Sequence, residues 1–381
     1  MSKLEKLIKK LCPNGVEYKE LNTLVDYIQP TKYIVKSTKY NDEYDIPVLT
    51  PGQTFILGYT NEKEGIYNAD KENPIILFDD FTTAFRWINF KFKVKSSAVK
   101  ILIPKNNNIN FRYIFYTMQT IKFDNTQHNR QWISKYSILK IPVPPIEVQN
   151  EIVRILDNFI ELATELEAEL EAREKQYEYY KDKILKFSKK DLNVEWINLG
   201  TYCNRLKGTA ITASKMKEIS ENDGNIKIFA GGKTVTKTSE KNIPKEDIIT
   251  VPNIIVQSRG IIDFIYYDKP CSFKREMWSY TTDNNITLKF IYYYLKNNVK
   301  YFRQRGSQMG SMPQISLDVT EKYKIPILPI EEQERIVSIL DKFDKLCNDI
   351  TQGLPVEIEA RRKQYEYYRD KLLNFKETKN G

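Results

Sequence analysis

The sequence predicts an α/β chain of two globular segments, each followed by one long helix, in an internal repeat. Residues 169–187 (ELEAREKQYEYYKDKILKF) and 357–375 (EIEARRKQYEYYRDKLLNF) are identical at 14 of 19 positions. A second matched block precedes each copy, at residues 141–159 and 325–343. The segments before these blocks contain short runs of β-branched and aromatic residues bounded by Pro, Gly and Asn, which is typical of strands and turns.

The repeated blocks have the pattern of long helices. Pro145 and Pro329 suit a first helical position, and acidic residues follow each of them, as favoured at a helix N-terminus. Apolar residues recur at spacings of three, four and seven, close to a coiled-coil seam. They are Ile152, Ile155, Phe159, Leu162, Leu166, Leu170, Tyr177, Tyr180, Ile184 and Phe187. A helix over residues 145–187 would be roughly 60 Å long; the alternative is two ordinary amphipathic helices packed on a domain core.

The globular segments mix strands with one short helix each. In the first we expect strands at residues 46–50, 55–59, 74–78, 85–94 and 99–103 and a helix at 111–120. In the second we expect strands at 226–230, 248–257, 261–267 and 279–282 and a helix at 288–302. Sequence similarity between the segments is faint, so the helices are alike while the globular parts differ. One shared docking element with two distinct recognition domains would look like this.

The start of the chain completes the repeat. A short helix at residues 2–11 ends at a Cys-Pro-Asn-Gly stop signal, and residues 16–21 align with residues 194–199. The N-terminal helix therefore takes the place that the tail of a long helix holds in mid-chain, which predicts termini close together. The resulting domains are residues 1–140, 141–190 (helical), 191–324 and 325–381 (helical).

Charge and composition favour a polyanionic partner. The chain has 381 residues and a net charge of +9. Residues 12–140 are about +4 and residues 194–324 about +7, while residues 161–174 are strongly acidic. No apolar run is long enough to span a membrane and no signal peptide is visible, so we expect a soluble, cytoplasmic protein. Four dispersed cysteines and one histidine indicate reduced, mostly buried thiols and no structural zinc.

Catalytic motifs are missing from the sequence. Gly231-Gly232-Lys233-Thr234 hints at a phosphate loop, but Lys227 stands where that motif requires glycine. No methyl-donor motif is visible. The adjacent Asp79 and Asp80 have no third ligand or lysine at a nuclease spacing, and we expect solvated surface carboxylates. The sequence therefore predicts a protein without catalytic activity and without a cofactor.

Two clusters of amide, guanidinium and aromatic side chains could read bases. Arg can bind guanine, and Asn or Gln can bind adenine, through two hydrogen bonds each, while lysines suit phosphate contacts. One cluster lies at residues 127–132, and we match it to residues 303–308 of the second half. The candidate DNA-binding residues are Gln127, Asn129, Arg130, Gln131, Lys233, Arg259, Lys274, Arg275, Arg303, Arg305 and Gln308. The alternative for each is an ordinary hydrated loop residue.

The sequence resembles the specificity subunit of type I restriction–modification systems over nearly its whole length. The resemblance rests on the duplicated Ile-Pro-x-x-Pro-Ile-Glu-x-Gln-x-x-Ile-Val-x-Ile-Leu-Asp blocks and the duplicated Lys-Gln-Tyr-Glu-Tyr-Tyr tails. It also rests on the run at residues 306–316 of the second half, and residues 78–84 and 257–260 look like segments common in the target-recognition domains of this family.

That resemblance implies two target-recognition domains separated by two long antiparallel helices in a pseudo-twofold arrangement. Each domain would read one half of a split double-stranded DNA sequence. Two methyltransferase subunits, which would carry the methyl donor, would dock on the helices, and motor–endonuclease subunits would join for cleavage. One departure is Thr351-Gln352-Gly353-Leu354-Pro355, because a Gly and Pro in this stretch break or kink a helix.

Two other function classes stay open from the residues. One is a DNA endonuclease whose active-site motif is not recognised, and the other is a coiled-coil scaffold that does not recognise DNA. The amide- and arginine-rich loops and the charge of the globular halves favour DNA recognition over the scaffold.

Overall fold

The chain folds into two compact units, each of mixed helix and sheet. The computed structural model describes residues 2–50, 54–124, 129–188, 194–232, 234–309, 312–348 and 353–378. Unit 1 comprises Met1–Glu165 and Ile358–Gly381, and unit 2 comprises Leu166–Glu357.

Unit 1 begins with helix α1 (Lys3–Leu11), confirming the predicted N-terminal helix. The Ser2 side chain accepts from the Glu5 N–H, and the Glu5 carboxylate accepts from the Ser2 N–H at 2.6 Å, which satisfies two N–H groups that the helix itself leaves unpaired. The remaining helices of the globular part are α2 (Leu21–Leu24) and α3 (Phe111–Met118), with a π-helical turn at Trp132–Tyr136. The strands are β1 (Glu17–Glu20), β2 (Val25–Ile28), β3 (Ile46–Leu49), β4 (Ile56–Thr60), β5 (Tyr67–Asn68), β6 (Ile75–Asp79), β7 (Phe85–Ile88), β8 (Lys91–Val94), β9 (Val99–Pro104) and β10 (Lys140–Val143).

The sheets of unit 1 form two layers. Strands β2-β9-β6-β7 form an antiparallel sheet, β4-β3-β8-β5 form a mixed sheet, and β1 pairs with β10. Because successive strand residues point to opposite faces, Ile76 and Phe78 pack with the aromatic residues of α3, while Leu77 packs toward the second sheet. The single strand expected at residues 85–94 is two strands, β7 and β8, in different sheets.

Helix α4 (Ile146–Ile184) confirms one long helix in place of two ordinary ones. Its 39 residues span about 58 Å. It begins one residue after Pro145, whose carbonyl accepts from the Gln149 N–H at 3.1 Å. Val148, Ile152 and Leu156 bury one stripe at four-residue spacing. The predicted seam is weaker further along, where Leu162 is 46% exposed.

Unit 2 repeats the plan of unit 1. Its helices are α5 (Leu199–Tyr202), α6 (Ala213–Glu218), α7 (Asn285–Asn297), α8 (Val299–Arg305), α9 (Leu317–Glu321) and α10 (Ile330–Asn348). Its strands are β11 (Glu195–Asn198), β12 (Asn204–Lys207), β13 (Ile226–Phe229), β14 (Val235–Thr238), β15 (Asn253–Gln257), β16 (Asp263–Tyr267), β17 (Cys271–Phe273), β18 (Trp278–Thr281), β19 (Ser307–Met309), β20 (Met312–Gln314) and β21 (Lys324–Ile327). The helix expected at 288–302 is two helices, α7 and α8, which meet at Asn298.

The sheet order shows the repeat directly. Strands β12-β18-β15-β16 form an antiparallel sheet with the same order as β2-β9-β6-β7, and β11 pairs with β21 as β1 pairs with β10. Within unit 2, α4 and α10 run antiparallel. Tyr177 and Tyr180 of α4 stack on Phe343, while burial and then the charge of Glu174 raise the pKa of the Cys347 thiol one turn further along α10.

The second helical region consists of α10 and helix α11 (Leu354–Leu372). Gly353 precedes α11, and its carbonyl accepts from the Val356 N–H at 3.1 Å. Pro355 is therefore in the first turn of α11, where an N–H is not needed. Pro355 therefore lies at the start of a helix and not in the interior of one. The rest of the departure noted in the sequence, at residues 351–352, lies outside the described residues.

The two termini meet in unit 1, as predicted, but the role expected of α1 is corrected. The Val16 N–H donates to the Lys376 carbonyl at 2.8 Å, and the Thr378 N–H donates to the Val16 carbonyl at 2.9 Å. The segment after α11 thus lies beside Val16, just before β1, in the place that the end of α4 has before β11. Helix α1 is therefore an additional helix. Gly15 permits this approach: it has a φ of +101°, and a Cβ there would lie 2.4 Å from the Lys376 carbonyl oxygen.

Candidate DNA interface

The turn between β6 and β7 in unit 1 is organised by Asp79. Its carboxylate accepts from the Phe81 N–H at 2.8 Å and the Thr82 N–H at 3.2 Å, and Thr83 adopts a left-handed φ of 61°. Asp79 and Asp80 are 4% and 1% exposed, so the expectation of solvated surface carboxylates is wrong. The two carboxylates have different partners: Asp79 closes its own turn, while Asp80 holds a different segment.

Asp80 fixes the segment that precedes the π-helical turn. Its main-chain carbonyl accepts from the Gln131 N–H at 2.7 Å, and its carboxylate accepts from the Trp132 N–H at 2.8 Å. The same carboxylate lies 3.4 Å from Arg130 Nη1 and 3.5 Å from Lys100 Nζ. A buried carboxylate is tolerated when it is paired and hydrogen-bonded in this way. The loop at residues 129–132 therefore has a defined position over the β6–β7 turn.

The candidates in this segment differ in exposure. Asn129 is exposed, and the Arg130 side chain is 48% exposed with its guanidinium 5.8 Å from the Phe81 ring centroid. Gln131, in contrast, is 1% exposed and donates to the Asn129 carbonyl at 2.9 Å. This burial corrects the prediction for Gln131, because the structure directs its side chain into the loop.

The turn between β15 and β16 holds the corresponding segment in unit 2. The Ile315 N–H donates to the Ser258 carbonyl at 3.0 Å, and the Gly260 N–H donates to the Pro313 carbonyl at 2.9 Å. Gly260 has a φ of +74°, which suits glycine in this close crossing. The exposed Arg259 donates from Nε to Gln314 Oε1 at 3.0 Å.

In each unit one segment crosses the turn that follows β6 or β15, and we call this contact the crossing. The hydrogen bonds of the two crossings are equivalent. Asp80 and Ser258 each lie one residue after β6 and β15, and they accept from Gln131 and Ile315 respectively. Asn129–Trp132 of unit 1 therefore corresponds to residues 313–316 of unit 2, and the sequence-based match to residues 303–308 is wrong. In each unit an arginine lies at the crossing: Arg130 over Phe81, and Arg259 on Gln314.

Lys274 and Arg275 lie in the connection between β17 and β18, beside the same turn. The Ser258 hydroxyl donates to the Glu276 carbonyl at 3.0 Å, and Lys274 Nζ is 2.7 Å from the Glu276 carboxylate. Burial opposes ionisation of Glu276, but its contacts with Lys274 and the charge of Arg259 outweigh burial and lower its pKa. Arg275 is exposed.

Arg303 and Arg305 form the last turn of α8. Arg303 Nε donates to the Ile262 carbonyl at 3.0 Å, which ties α8 to the start of β16. The Arg305 guanidinium lies 5.1 Å from the Tyr301 ring centroid and is exposed. Gln127 and Lys233 lie outside the described residues, as does the side chain of Gln308 in β19.

Sequence reasoning missed two basic residues near this surface. Arg205 and Lys207 lie on β12 and line a cleft with Arg275. Strand β12 is a four-residue edge strand whose partner, β18, follows it by more than 70 residues, so its residues gave no recognisable local pattern.

The four cysteines are free and buried, as predicted, and burial raises the pKa of the Cys203 thiol to about 12 and that of Cys271 to about 11. Throughout the described residues, each helix is too short or too polar to cross a membrane.

The repeat in the fold is matched by a repeat in the family comparison. The type I restriction modification DNA specificity domain matches residues 13–173 and again residues 181–360. The chain belongs to this family. It is a specificity subunit, the non-catalytic member of a type I restriction–modification system, which confirms the resemblance and the prediction of a DNA-recognition role.

A relative agrees with this assignment, and two solved structures have a similar fold. The specificity subunit of the Escherichia coli type I restriction enzymes EcoR124I and EcoR124II is 42% identical, covering 98% of this chain and 97% of that protein. The fold is similar to a crystal structure of a type I specificity subunit from M. genitalium, with a TM-score of 0.63, 17% identity and 95% and 97% of the two chains covered. A chain from a study of complex assembly in a type I system has a TM-score of 0.56 and 16% identity, with 96% and 98% covered.

Proposed function

We propose that each unit of this specificity subunit reads one half of a split DNA sequence. In unit 1 the reading surface is the β6–β7 turn with the loop at residues 129–132. In unit 2 it is the β15–β16 turn with the segment at residues 313–316. The observation that carries the proposal is the repeated crossing: one backbone geometry presents Arg130 with Phe81 in one unit and Arg259 with Gln314 in the other.

The chemistry of each crossing suits base recognition. A guanidinium can donate two hydrogen bonds to guanine, and an amide can pair with adenine. Arg130 is held by Asp80 and Arg259 by Gln314, so both guanidinium groups lose less conformational entropy on binding. Different side chains on the same backbone crossing would give the two halves different sequences.

The remaining candidates fit supporting roles. Lys274 and Arg275 adjoin the unit 2 crossing and suit phosphate contacts. Asn129, Arg303 and Arg305 remain proposed DNA contacts. We also retain Gln127, Lys233 and Gln308 from the sequence.

The helices would assemble the rest of the complex. Two methyltransferase subunits would dock on α4, α10 and α11 and carry the methyl donor, and motor–endonuclease subunits would join them for cleavage. The protein would act in the cytoplasm, where its DNA substrate is found.

Binding across a salt series tests the proposal. The full-length chain, alone and with its methyltransferase subunits, is titrated with two kinds of duplex. One carries the sequence that is methylated in the source genome, and the other carries a scrambled version of it. We expect tighter binding to the genomic sequence and affinity that falls steeply with salt. Equal affinity for both duplexes, or DNA cleavage by the chain alone, would contradict a non-catalytic reader.

A further inference from the structure

A cleft of about 450 Å³ opens beside the edge strand β12 of unit 2. Arg205 and Lys207 of β12 line it together with Arg275 from the β17–β18 connection. Trp278 and Leu317 add apolar surface. The cleft is thus a concave surface lined by three basic side chains.

The strand geometry places the two β12 cations on one side. Arg205 and Lys207 are two residues apart and therefore point to the same face of the strand. Their partners on β18 are Tyr280 and Trp278. Both rings are held by Thr320 of α9, at 3.0 Å from Trp278 Nε1 and 2.8 Å from the Tyr280 hydroxyl. The wall behind the cations is therefore fixed before any ligand binds.

The charge of the cleft is positive. Asp247 is the acidic residue in its lining, against three basic residues. Arg205 Nη1 lies 3.2 Å from Glu321, in a pair with both side chains about a third exposed, and such pairs are weak. Within the described part of the chain, no carboxylate lies at ion-pairing distance from Lys207 or Arg275. A concave site with excess charge of one sign attracts counter-ions.

The equivalent position in the sheet of unit 1 has a different arrangement of charged side chains. By strand register, Arg205 corresponds to Tyr27, because Arg205 pairs with Tyr280 as Tyr27 pairs with Leu102. The registers of β15 with β18 and of β6 with β9 likewise make Trp278 the counterpart of Lys100. Lys100 is buried, lies 3.5 Å from Asp80 and donates to Gln29 Oε1 at 2.5 Å. Gln29 is the counterpart of Lys207. The cation of unit 1 is therefore enclosed and neutralised, while those of unit 2 face an open cleft.

We propose that this cleft binds a phosphodiester group of the DNA backbone beside the half-site that unit 2 reads. The inference rests on the proposed function and extends it to a site that unit 1 lacks. Arg275 connects the cleft to the reading surface, since the next residue, Glu276, accepts from Ser258 in the β15–β16 turn. A DNA strand that lies across both the cleft and the Arg259 crossing would gain affinity, without sequence preference, from the cleft.

The test replaces the two cations by their counterparts in unit 1. The full-length variant R205Y/K207Q is compared with the parent and with K215Q/K217Q, which removes the same charge from α6, outside the cleft. Binding is measured across a salt series with a target duplex and a scrambled duplex. For the loss of this one phosphate contact, the plot of log affinity against log salt becomes shallower by about 0.9. We expect that change in R205Y/K207Q with both duplexes and an unchanged slope in K215Q/K217Q.

The outcomes separate this inference from the proposed function. A parent that prefers the target and a variant with the parental slope would overturn the cleft site alone. A parent without preference would overturn the reading proposal, and the slope on the scrambled duplex would still test the cleft. If millimolar inorganic phosphate raises the Tm of the parent but not of R205Y/K207Q, while the DNA slopes stay equal, the site binds free anions and the DNA assignment is wrong. The single variant R275Q, in an exposed connection, gives the same test with a slope change of about 0.9 if the double variant does not fold.

Discussion

At the scale of residues, the buried charge of Asp80 determines the geometry of the unit 1 surface. Its carboxylate neutralises Lys100, contacts Arg130 and accepts from the Trp132 N–H. Lys100 is 3% exposed, so without Asp80 its ammonium would remain in the protein interior without a counter-charge. Losing one partner of a buried pair costs about 3–5 kcal/mol. Stability and loop position should therefore depend on the same carboxylate.

The variant Asp80→Ala should lower the free energy of unfolding of unit 1 by about 3–5 kcal/mol and weaken preference for the unit 1 half-site. Chemical denaturation and duplex binding measure these two effects. Asp26→Ala is the control, because Asp26 and Lys105 form an exposed pair at 3.4 Å and its loss should cost at most about 1 kcal/mol. Equal losses in the two variants would show that Asp80 has no special role.

The arginines make distinguishable contributions to DNA binding. If Arg130 contacts a base, Arg130→Ala should cost about 1–3 kcal/mol and relax one base position of the target. If Arg305 contacts a phosphate, Arg305→Ala should weaken binding to all sequences evenly and lower the salt slope by about one. Affinities for a panel of single-base target variants separate the two patterns. Parental affinity and preference in both variants would exclude these residues from the interface.

At the scale of elements, the attachment of α1 to α4 is electrostatic as well as apolar. Lys3 and Arg154 each lie 2.7 Å from the Glu151 carboxylate, which is 4% exposed. The hydrogen bonds from Arg154, and then those from Lys3, lower the pKa of Glu151 to about 2. A depressed carboxylate pKa contributes stability above the unfolded value of about 4.3, and the contribution is lost as pH falls toward 2.

Replacing Glu151 by Gln should therefore lower the Tm at neutral pH and flatten the fall in Tm between about pH 4.5 and 2. Thermal unfolding followed over this pH range measures the effect. Glu147→Gln, an exposed substitution in the first turn of the same helix, is the matched control. Parallel acid profiles for the parent and Glu151→Gln would contradict the proposed linkage.

The tetrapeptide repeat inside α4 gives a prediction about spacing. Residues 165–168 and 169–172 read ELEA and ELEA, and α4 is continuous through both. Removing four residues shortens a helix by about 6 Å and turns it by about 400°, which keeps nearly the same face. Deleting residues 165–168 should shorten the unread gap between half-sites by about one or two base pairs, at roughly 3.4 Å of B-form rise each. Mapping of methylated sites tests this, and an active variant with the parental gap would refute it.

At the scale of the whole molecule, the helices were predictable from local periodicity, whereas the long-range pairing of strands was not predictable. The stripe in residues 145–187 predicted α4 because helical spacing is visible in a single segment. The pairing of β1 with β10 joins residues more than 100 positions apart, and the register that equates Gln131 with Ile315 is set by hydrogen bonds to Asp80 and Ser258. Faint similarity between the globular parts therefore led to the wrong loop match. Arg205 and Lys207 became visible only when β12 and β18 were paired.

The central claim, that each unit reads its own half of the target, is tested most directly by exchanging one reader. Residues 194–324 are replaced with the equivalent domain of a related specificity subunit, and the methylated sites are mapped in cells that also express the methyltransferase subunits. We expect a target in which the half read by unit 1 is unchanged and only the other half is new. Changes in both halves, or an unchanged target from an active hybrid, would contradict it.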